Sequence, residues 1–279
     1  MRTRFAPSPT GPLHLGHAYS ACLAHDMAVA EGGEFLLRIE DIDQSRARPQ
    51  WEAQIYDDLH WLGLDWPTPV MRQSDRMDAY DAALDQLWDL GLLYPCHCNR
   101  RDILAALDTP QEGVEPPTGP DGVIYPGTCR PTTAPSGPRP KGAALRLNMA
   151  RALECLDTPI TYSETGTVPM IVSANPLAEI GDIVLARRDM GTSYHLSVTV
   201  DDAEQDITHV VRGADLAEAT QIHVLLQRLL TLPTPTYHHH KLIRDENGKR
   251  LAKRDDAKAI ALYRDQGKSP QDVRQMVGL

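Results

Sequence analysis

Long apolar runs are missing from this 279-residue chain, and no stretch approaches the length of a membrane span. The first residues also lack the basic segment followed by an apolar one that marks a secretory signal. Hydrophobic residues still make up 42% of the chain, enough for one large α/β core with a smaller insertion. These absences argue against a membrane or exported protein, and we expect a cytoplasmic monomer with no membrane partner.

Positive charge is also in short supply, because 28 Lys and Arg stand against 38 Asp and Glu, for a formal net charge of −10. A nucleic-acid-binding protein nevertheless needs only a local basic patch to contact phosphates. Basic residues cluster at Arg100 and Arg101, at Arg139 and Lys141, and in the range 249–258. Each cluster fits either a contact surface or a solvated face of an acidic protein.

Residues 4–17, RFAPSPTGPLHLGH, combine a short apolar strand, a loop rich in proline and the start of a helix expected over 15–30. The helix amino terminus offers unpaired N–H groups and a positive dipole end to an anion. His14 and His17 share one face of the first turn, so both imidazoles could donate to one phosphate, and Gly16 leaves room for a ring or ribose. The pattern predicts a nucleotide site, although a His-x-x-His pair alone is also found among ordinary half-exposed histidines.

A second signature lies far downstream, at residues 250–254 (RLAKR). Together the two motifs resemble those of class I aminoacyl-tRNA synthetases: residues 14–17 (HLGH) are similar to their HIGH motif and residues 250–254 to their KMSKS loop. The preceding RFAPSPTG and the later RIEDID at 38–43 narrow the resemblance to the glutamyl branch. The resemblance covers nearly the whole chain.

This resemblance implies an α/β fold with a Rossmann-like parallel sheet, HIGH and KMSKS-type loops, a zinc-containing insertion, a short helical C-terminal part and no anticodon-binding domain. The residues agree, because an apolar segment at 34–40 follows Gly32 and Gly33 and completes a predicted βαβ unit. Residues 193–202 are expected to form a strand or the start of a helix. The expected division is 1–93 and 181–235 for the two halves of the catalytic domain, 94–180 for the insertion, and 236–279 for the KMSKS-type loop and C-terminal helical segment.

The resemblance also implies the reaction, in which an amino acid is joined to the α-phosphate of ATP before the acyl group is transferred. His14, His17 and Lys253 are the implied catalytic residues, Gly16 and Arg250 join them in binding ATP, and Mg²⁺ shares the charge neutralisation. The loop departs from KMSKS in that Arg250 replaces the first Lys and Ala252 the first Ser. Position 250 therefore keeps a cation, whereas position 252 loses a hydroxyl.

Glutamate requires cations for its two carboxylates and an anion for its ammonium group. By resemblance, the glutamate-binding positions are Arg4, Phe5, Ala6, Pro7, Ser8, Glu40, Tyr194 and Arg212. Arg4 or Arg212 could grip a carboxylate with two hydrogen bonds, and Glu40 could pair with the ammonium. A structural ion pair at the strand ends is the alternative for Arg212 and Glu40.

Residues 94–141 are rich in proline and glycine and hold three of the five cysteines. An odd number of cysteines without an export signal favours thiols or metal ligands over disulfides. The Cys-x-Cys spacing alone leaves zinc and free thiols equally open. The resemblance implies one structural zinc ion held by Cys96, Cys98, Tyr125 and Cys129, with His97 and His195 as competing ligands.

The chain ends 25 residues after Arg254, which we expect to be too few for an anticodon-binding domain. With the Cys-x-Cys insertion, this architecture resembles the glutamyl-queuosine tRNA(Asp) synthetases. Their activity implies transfer of L-glutamate, activated with ATP, to the queuosine base in the anticodon loop of tRNA(Asp). Two alternatives stay open: a truncated glutamyl-tRNA synthetase that charges tRNA(Glu), and a non-catalytic synthetase-like protein that binds RNA.

Overall fold

The structure is a computed structural model that describes residues 1–107, 115–156, 159–173, 175–243 and 258–279. Its α-helices are α1 Leu15–Ala30, α2 Pro49–Trp61, α3 Met77–Asp89, α4 Arg100–Ala106, α5 Met149–Glu154, α6 Pro176–Glu179, α7 Tyr194–Glu204, α8 Thr220–Leu229, α9 Ile260–Asp265 and α10 Pro270–Val277. Its strands are β1 Arg2–Phe5, β2 Glu34–Ile39, β3 Met71–Arg72, β4 Leu93–Cys96, β5 Thr118–Gly119, β6 Gly122–Val123, β7 Ala144–Leu147, β8 Thr161–Tyr162, β9 Met170–Ile171, β10 Val184–Ala186, β11 His209–Gly213 and β12 Thr236–His240.

Parallel strands form the centre of the fold. The first sheet has the order β1-β2-β3, and α1 crosses between β1 and β2, which confirms the predicted βαβ unit. β11 and β12 form a second parallel pair, and the Thr208 N–H before β11 donates to the Arg2 carbonyl of β1 at 3.0 Å. The expectation of a Rossmann-like parallel arrangement therefore agrees with the strand pairing.

Antiparallel pairing characterises the part of the chain between these strands. β10, β7 and β4 form one sheet in that order, and β5–β6 and β8–β9 form two short hairpins. β9 and β10 are short, with two and three residues. The domain boundaries given above stay predictions.

Residues 193–202 belong to a helix, α7, which settles the choice between strand and helix. The Ser193 hydroxyl caps the helix by accepting from the Leu196 N–H at 3.4 Å. Apolar and polar side chains are both buried along α7, because it lies between α3 and α8. Among the described residues, no helix combines the length and apolar composition needed to cross a bilayer.

Candidate active site

A cavity of about 360 Å³ lies where β1, β2, β11 and β12 end and α1 begins. This is the edge at which parallel α/β sheets form ligand sites, because the strand ends and the helix amino termini open there. The described lining residues are Arg4, Phe5, Ala6, His14, Gly16, His17, Ser20, Glu40, Tyr194, Val211, Arg212, Gly213, Asp215, Leu216, His240, Leu242 and Ile243.

The rings of His14 and His17 lie close together at the amino terminus of α1, with centroids 3.8 Å apart and an angle of 32° between their planes. The Gly16 N–H donates to His14 Nδ1 at 3.1 Å, and the His14 N–H donates to His17 Nδ1 at 3.1 Å. Because each Nδ1 accepts a hydrogen bond from a backbone N–H, each neutral imidazole carries its own proton on Nε2. Helix capping therefore fixes both rings as Nε2–H donors beside the cavity.

A buried charge network lies behind the cavity and centres on Arg38 of β2, whose side chain is 0% exposed. Its Nη1 donates to Asp202 Oδ1 at 2.7 Å and its Nη2 to Glu40 Oε1 at 3.1 Å, and Nε lies 3.9 Å from Asp201 Oδ2. Asp202 also accepts from Arg4 Nε at 2.9 Å and from Arg4 Nη2 at 3.3 Å. The network fixes the directions of two predicted site residues, Arg4 and Glu40.

The same contacts set the ionisation of the two carboxyls. Burial alone would raise the pKa of Asp202, but Arg4 and Arg38 lower it to about 2. For Glu40, burial prevails and raises the pKa, although Arg38 and Arg4 act in the opposite direction. Glu40 is thus a carboxylate whose charge is incompletely compensated, which suits a group that receives a ligand ammonium.

Arg212, at the end of β11, is buried among neutral groups. Nε donates to His239 Nε2 at 3.3 Å, Nη1 to His223 Nδ1 at 3.1 Å and Nη2 to the Thr220 hydroxyl at 2.6 Å. Within the described ranges, no carboxylate oxygen lies within 4.0 Å of this guanidinium. These partners take three of its five N–H groups, and one on each Nη remains for a ligand carboxylate.

The predicted glutamate residues divide between those that line the cavity and those that do not. Pro7 and Ser8 are not among the described lining residues: Pro7 is buried with its carbonyl accepting from the Glu40 N–H at 3.1 Å, and Ser8 is exposed. The structural ion pair considered for Glu40 is present, with Arg38 as the partner. Because Arg4 already makes two hydrogen bonds to Asp202, its Nε cannot take part in gripping a ligand carboxylate.

Arg250 and Lys253 of the KMSKS-type motif lie outside the described residues. The described residues on either side of that segment do reach the site. Ile243 lines the cavity, and Ala259 forms a β-bridge with His14, next to the hydrogen bond from the Ile260 N–H to the Leu13 carbonyl at 2.9 Å.

Sequence reasoning missed several lining residues, including Ser20 and His240. The Ser20 hydroxyl and His240 Nε2 form a hydrogen bond across the cavity wall, between α1 and the end of β12. Asp215 follows β11 closely, so its place at a strand end was the one available signal. Ser20 offered no signal, because it lies one and a half turns inside a helix.

A second cluster lies in the insertion, where Cys96, Cys98 and Cys129 bring their Sγ atoms within 4.8 Å of one another. The Tyr125 hydroxyl lies 3.6 Å from Cys96 Sγ and 3.4 Å from Cys98 Sγ, and the two sulfurs of Cys98 and Cys129 are 3.5 Å apart. Arg146 donates from Nε to Cys96 Sγ at 3.3 Å. The structure therefore brings together the four residues of the predicted ligand set.

Neither competing histidine joins that cluster. His195 Nε2 lies 3.2 Å from Asp121 Oδ1 and its Nδ1 lies 3.1 Å from His223 Nε2, so both ring nitrogens are engaged elsewhere. Among the described residues, the group able to hold a metal consists of the three cysteines without His97.

One basic cluster of the sequence, Arg139 and Lys141, is paired within the protein. Both residues form ion pairs with Asp81, and Arg139 also pairs with Asp85.

A family model described as tRNA synthetases class I (E and Q), catalytic domain, matches residues 1–279. The chain belongs to this family. Its glutamyl-branch resemblance is confirmed by relatives named glutamyl-Q tRNA(Asp) synthetase. The one from Rhodobacter capsulatus is 59% identical over 100% of both chains, and the one from Geobacter sulfurreducens is 40% identical over 94% of this chain and 78% of its own.

Solved structures of this synthetase family show the same fold. A glutamate tRNA ligase from Elizabethkingia meningosepticum, crystallised with its amino acid, superposes with a TM-score of 0.76 at 28% identity. The match covers 100% of this chain and 60% of the ligase, so the chain spans about three fifths of that enzyme's length. The cavity at the strand ends is thus placed in a class I synthetase catalytic domain.

Proposed function

We propose that this synthetase-family chain activates L-glutamate with ATP and transfers it to the queuosine base in the anticodon loop of tRNA(Asp). The observation that carries the proposal is the cavity itself, where two arginines and one incompletely compensated carboxylate face a helix amino terminus capped by two histidines. The shared name of the curated relatives agrees with the function predicted from the sequence. We further propose that the chain works as a monomer in the cytoplasm.

In the activation step, a glutamate carboxylate oxygen attacks the α-phosphorus of ATP. A new O–P bond forms, the bond to the β-phosphate oxygen breaks, and pyrophosphate leaves with the electron pair. Negative charge grows on the α-phosphate oxygens, where the Nε2–H groups of His14 and His17 and the α1 amino terminus can donate. Lys253, Arg250 and Mg²⁺ are proposed to neutralise the other phosphates.

Glutamate has one complementary group in the cavity for each of its charges. We assign the two remaining N–H groups of Arg212, one from each Nη, to one carboxylate, and the remaining Nη hydrogens of Arg4 to the other. Glu40 accepts from the ammonium. In the transfer step, a hydroxyl of the queuosine cyclopentene ring attacks the adenylate carbonyl carbon. An ester bond forms, the bond from that carbon to the phosphate oxygen breaks, and AMP leaves with the electron pair while the hydroxyl proton passes to a phosphate oxygen of AMP.

Transfer of labelled glutamate tests the proposal, with tRNA(Asp) prepared with and without queuosine and the label mapped by nuclease digestion. We expect label in the anticodon loop of the queuosine-containing tRNA alone. Label on the terminal adenosine of tRNA(Glu) in a parallel reaction points instead to a truncated glutamyl-tRNA synthetase, to which the solved relatives lend support. No transfer and no glutamate-dependent ATP–pyrophosphate exchange would leave the non-catalytic alternative.

Replacing Glu40 with glutamine separates its function from its effect on stability. The raised pKa of Glu40 means that its ionised form is less favoured in the folded protein than in the unfolded chain, so at pH 7 the charge costs stability. Glu40→Gln is expected to reduce glutamate-dependent exchange by about 10- to 100-fold, the loss of one charged hydrogen bond. Thermal unfolding should occur at the same temperature or higher.

The control for Glu40→Gln is Glu34→Gln, at the other end of β2. Glu34 is half-buried and pairs with Arg2, away from the cavity. This variant should keep wild-type exchange. A Glu40→Gln enzyme with unchanged exchange would remove Glu40 from the amino-acid site.

We also propose that Cys96, Cys98, Cys129 and Tyr125 hold one structural zinc ion. Sulfur ligands at about 2.3 Å from tetrahedral zinc lie about 3.8 Å from one another, which matches the close approach of the cluster. A bound ion would tie β4 to the segment after β6 in a region with few apolar side chains.

Metal analysis of Cys98→Ser tests this ligand set. The variant is expected to lose most of its zinc, because a hydroxyl replaces a thiolate ligand. The matched control is Cys155→Ser, since Cys155 is exposed and lies outside the cluster. One equivalent of zinc in Cys155→Ser and little in Cys98→Ser supports the site, whereas a full equivalent in both rules it out.

A further inference from the structure

We infer that a chain of hydrogen bonds through His223 and His195 positions Arg212 for glutamate. The chain, called the relay below, has one donor-to-acceptor direction and ends at Asp121 of the insertion. The inference rests on the proposed function, because it assigns Arg212 the task of binding a glutamate carboxylate. His223 and His195 act through Arg212 and are therefore positioning residues. The four side chains come from β11, α8, α7 and the β5–β6 turn.

The chemistry of arginine fixes the direction of the relay. A guanidinium has donors and no acceptor, so His223 Nδ1, at 3.1 Å from Arg212 Nη1, must accept. The neutral His223 ring then carries its proton on Nε2. That Nε2 lies 3.1 Å from His195 Nδ1, which must accept in turn.

The last link is decided in the same way. With Nδ1 of His195 accepting, the ring proton is on Nε2, which lies 3.2 Å from Asp121 Oδ1. His223 and His195 are buried, whereas the Asp121 side chain is 34% exposed. Reversing any one link would oppose two donors or two acceptors, so the arginine at one end and the carboxylate at the other require the same direction.

A second branch supports the same role for the insertion. His239 Nε2 accepts from Arg212 Nε at 3.3 Å, and His239 Nδ1 lies 2.7 Å from Glu164 Oε2. Burial, reinforced by Arg212, lowers the pKa of both His223 and His239, which keeps the two rings neutral. The guanidinium is thus held in place without a carboxylate against it, and its charge stays available to the ligand.

The two carboxylates that anchor these branches, Asp121 and Glu164, both belong to the inserted part of the chain between β4 and β10. The amino-acid site therefore depends on how the insertion is seated. A binding group that is already held in the right orientation raises the affinity for the ligand, because no conformational entropy is lost in ordering that group on binding.

Substitution of Asp121 tests the relay at its exposed end, where a folding defect is least expected. Asp121→Ala should raise the KM for glutamate about tenfold in ATP–pyrophosphate exchange, as for one lost hydrogen bond of a charged network, and leave the KM for ATP unchanged. Asp121→Asn should raise it less, because the amide oxygen still accepts from His195. The matched control is Glu154→Ala, an exposed carboxylate on α5 of the insertion, which should behave as the wild type.

An equal glutamate KM in Asp121→Ala and the wild type would overturn the positioning role. A parallel rise in the KM values for glutamate and ATP would also overturn it, since a general structural defect affects both.

Imidazole nitrogen NMR of the wild-type protein tests the direction of the relay without any activity. We expect His223 and His195 as neutral rings with the proton on Nε2, and a proton on Nδ1 of either ring would contradict the relay. If these tautomers are found in a protein that does not activate glutamate, the proposed function fails while the relay stands.

Discussion

Replacing His17 with alanine is expected to lower glutamate-dependent ATP–pyrophosphate exchange by at least about tenfold, the order of loss for one transition-state donor. His17 Nδ1 accepts from the His14 N–H, so its proton is fixed on Nε2, beside the cavity. Alanine removes that donor at the helix end where phosphate charge develops. Exchange measured with and without tRNA(Asp) provides the test.

Two further variants separate catalysis from helix capping. His17→Asn can keep an acceptor for the His14 N–H but cannot reach the position of Nε2, whereas His17→Gln can extend a donor toward it. We expect His17→Asn to restore most of the stability lost by alanine, about 1 kcal/mol for a cap. It should not restore exchange, which His17→Gln should recover in part. Wild-type exchange in His17→Ala would remove His17 from the mechanism.

Replacing Arg38 with methionine is expected to destabilise the fold by about 3–5 kcal/mol, the cost of breaking a buried ion network by removing one partner. Arg38 is fully buried and donates to Asp202 and Glu40, with Asp201 nearby. Methionine approximates its length but leaves these carboxylates short of one cation. Urea unfolding at pH 7 measures the difference.

Arg2→Met is the matched control, because Arg2 also lies on a strand of the parallel sheet, β1, and pairs with two carboxylates, Glu34 and Asp206. Its side chain is 37% exposed, so its removal should cost less than about 1 kcal/mol. If the two variants lose similar amounts of unfolding free energy, the buried Arg38 network stabilises the fold no more than the exposed ion pairs of Arg2.

The free energy of unfolding at acid pH should also depend on the Arg38 network. Because the pKa of Asp202 is lowered to about 2 in the folded protein, its ionised form stabilises the fold above the pKa of an unfolded aspartate, about 3.9. That contribution is lost as pH falls from about 4 through 2. In Arg38→Met the loss should be smaller, since Arg4 alone then holds the pKa down.

The sequence by itself determined the features that are written in short, contiguous stretches. The strand, loop and helix of residues 4–30 follow from proline placement and apolar pattern, and the helix is observed over the predicted span. Arg4 and Glu40 were assigned to the glutamate site by resemblance to the family, and the βαβ unit brings both residues to the cavity. The cysteine cluster was predicted through the resemblance, because the Cys-x-Cys spacing alone left zinc and free thiols equally open.

Tertiary structure alone decided what these residues contact. Residues 193–202 contain β-branched side chains that favour a strand and a serine that favours a helix start, and packing between α3 and α8 selected the helix. Asp202 meets Arg38 and Arg4, about 160 and 200 residues earlier in the chain, only because tertiary packing brings the end of α7 next to β1 and β2. Motifs and periodicity record local preference, whereas charge pairing across such distances depends on how the elements pack, which no local pattern encodes.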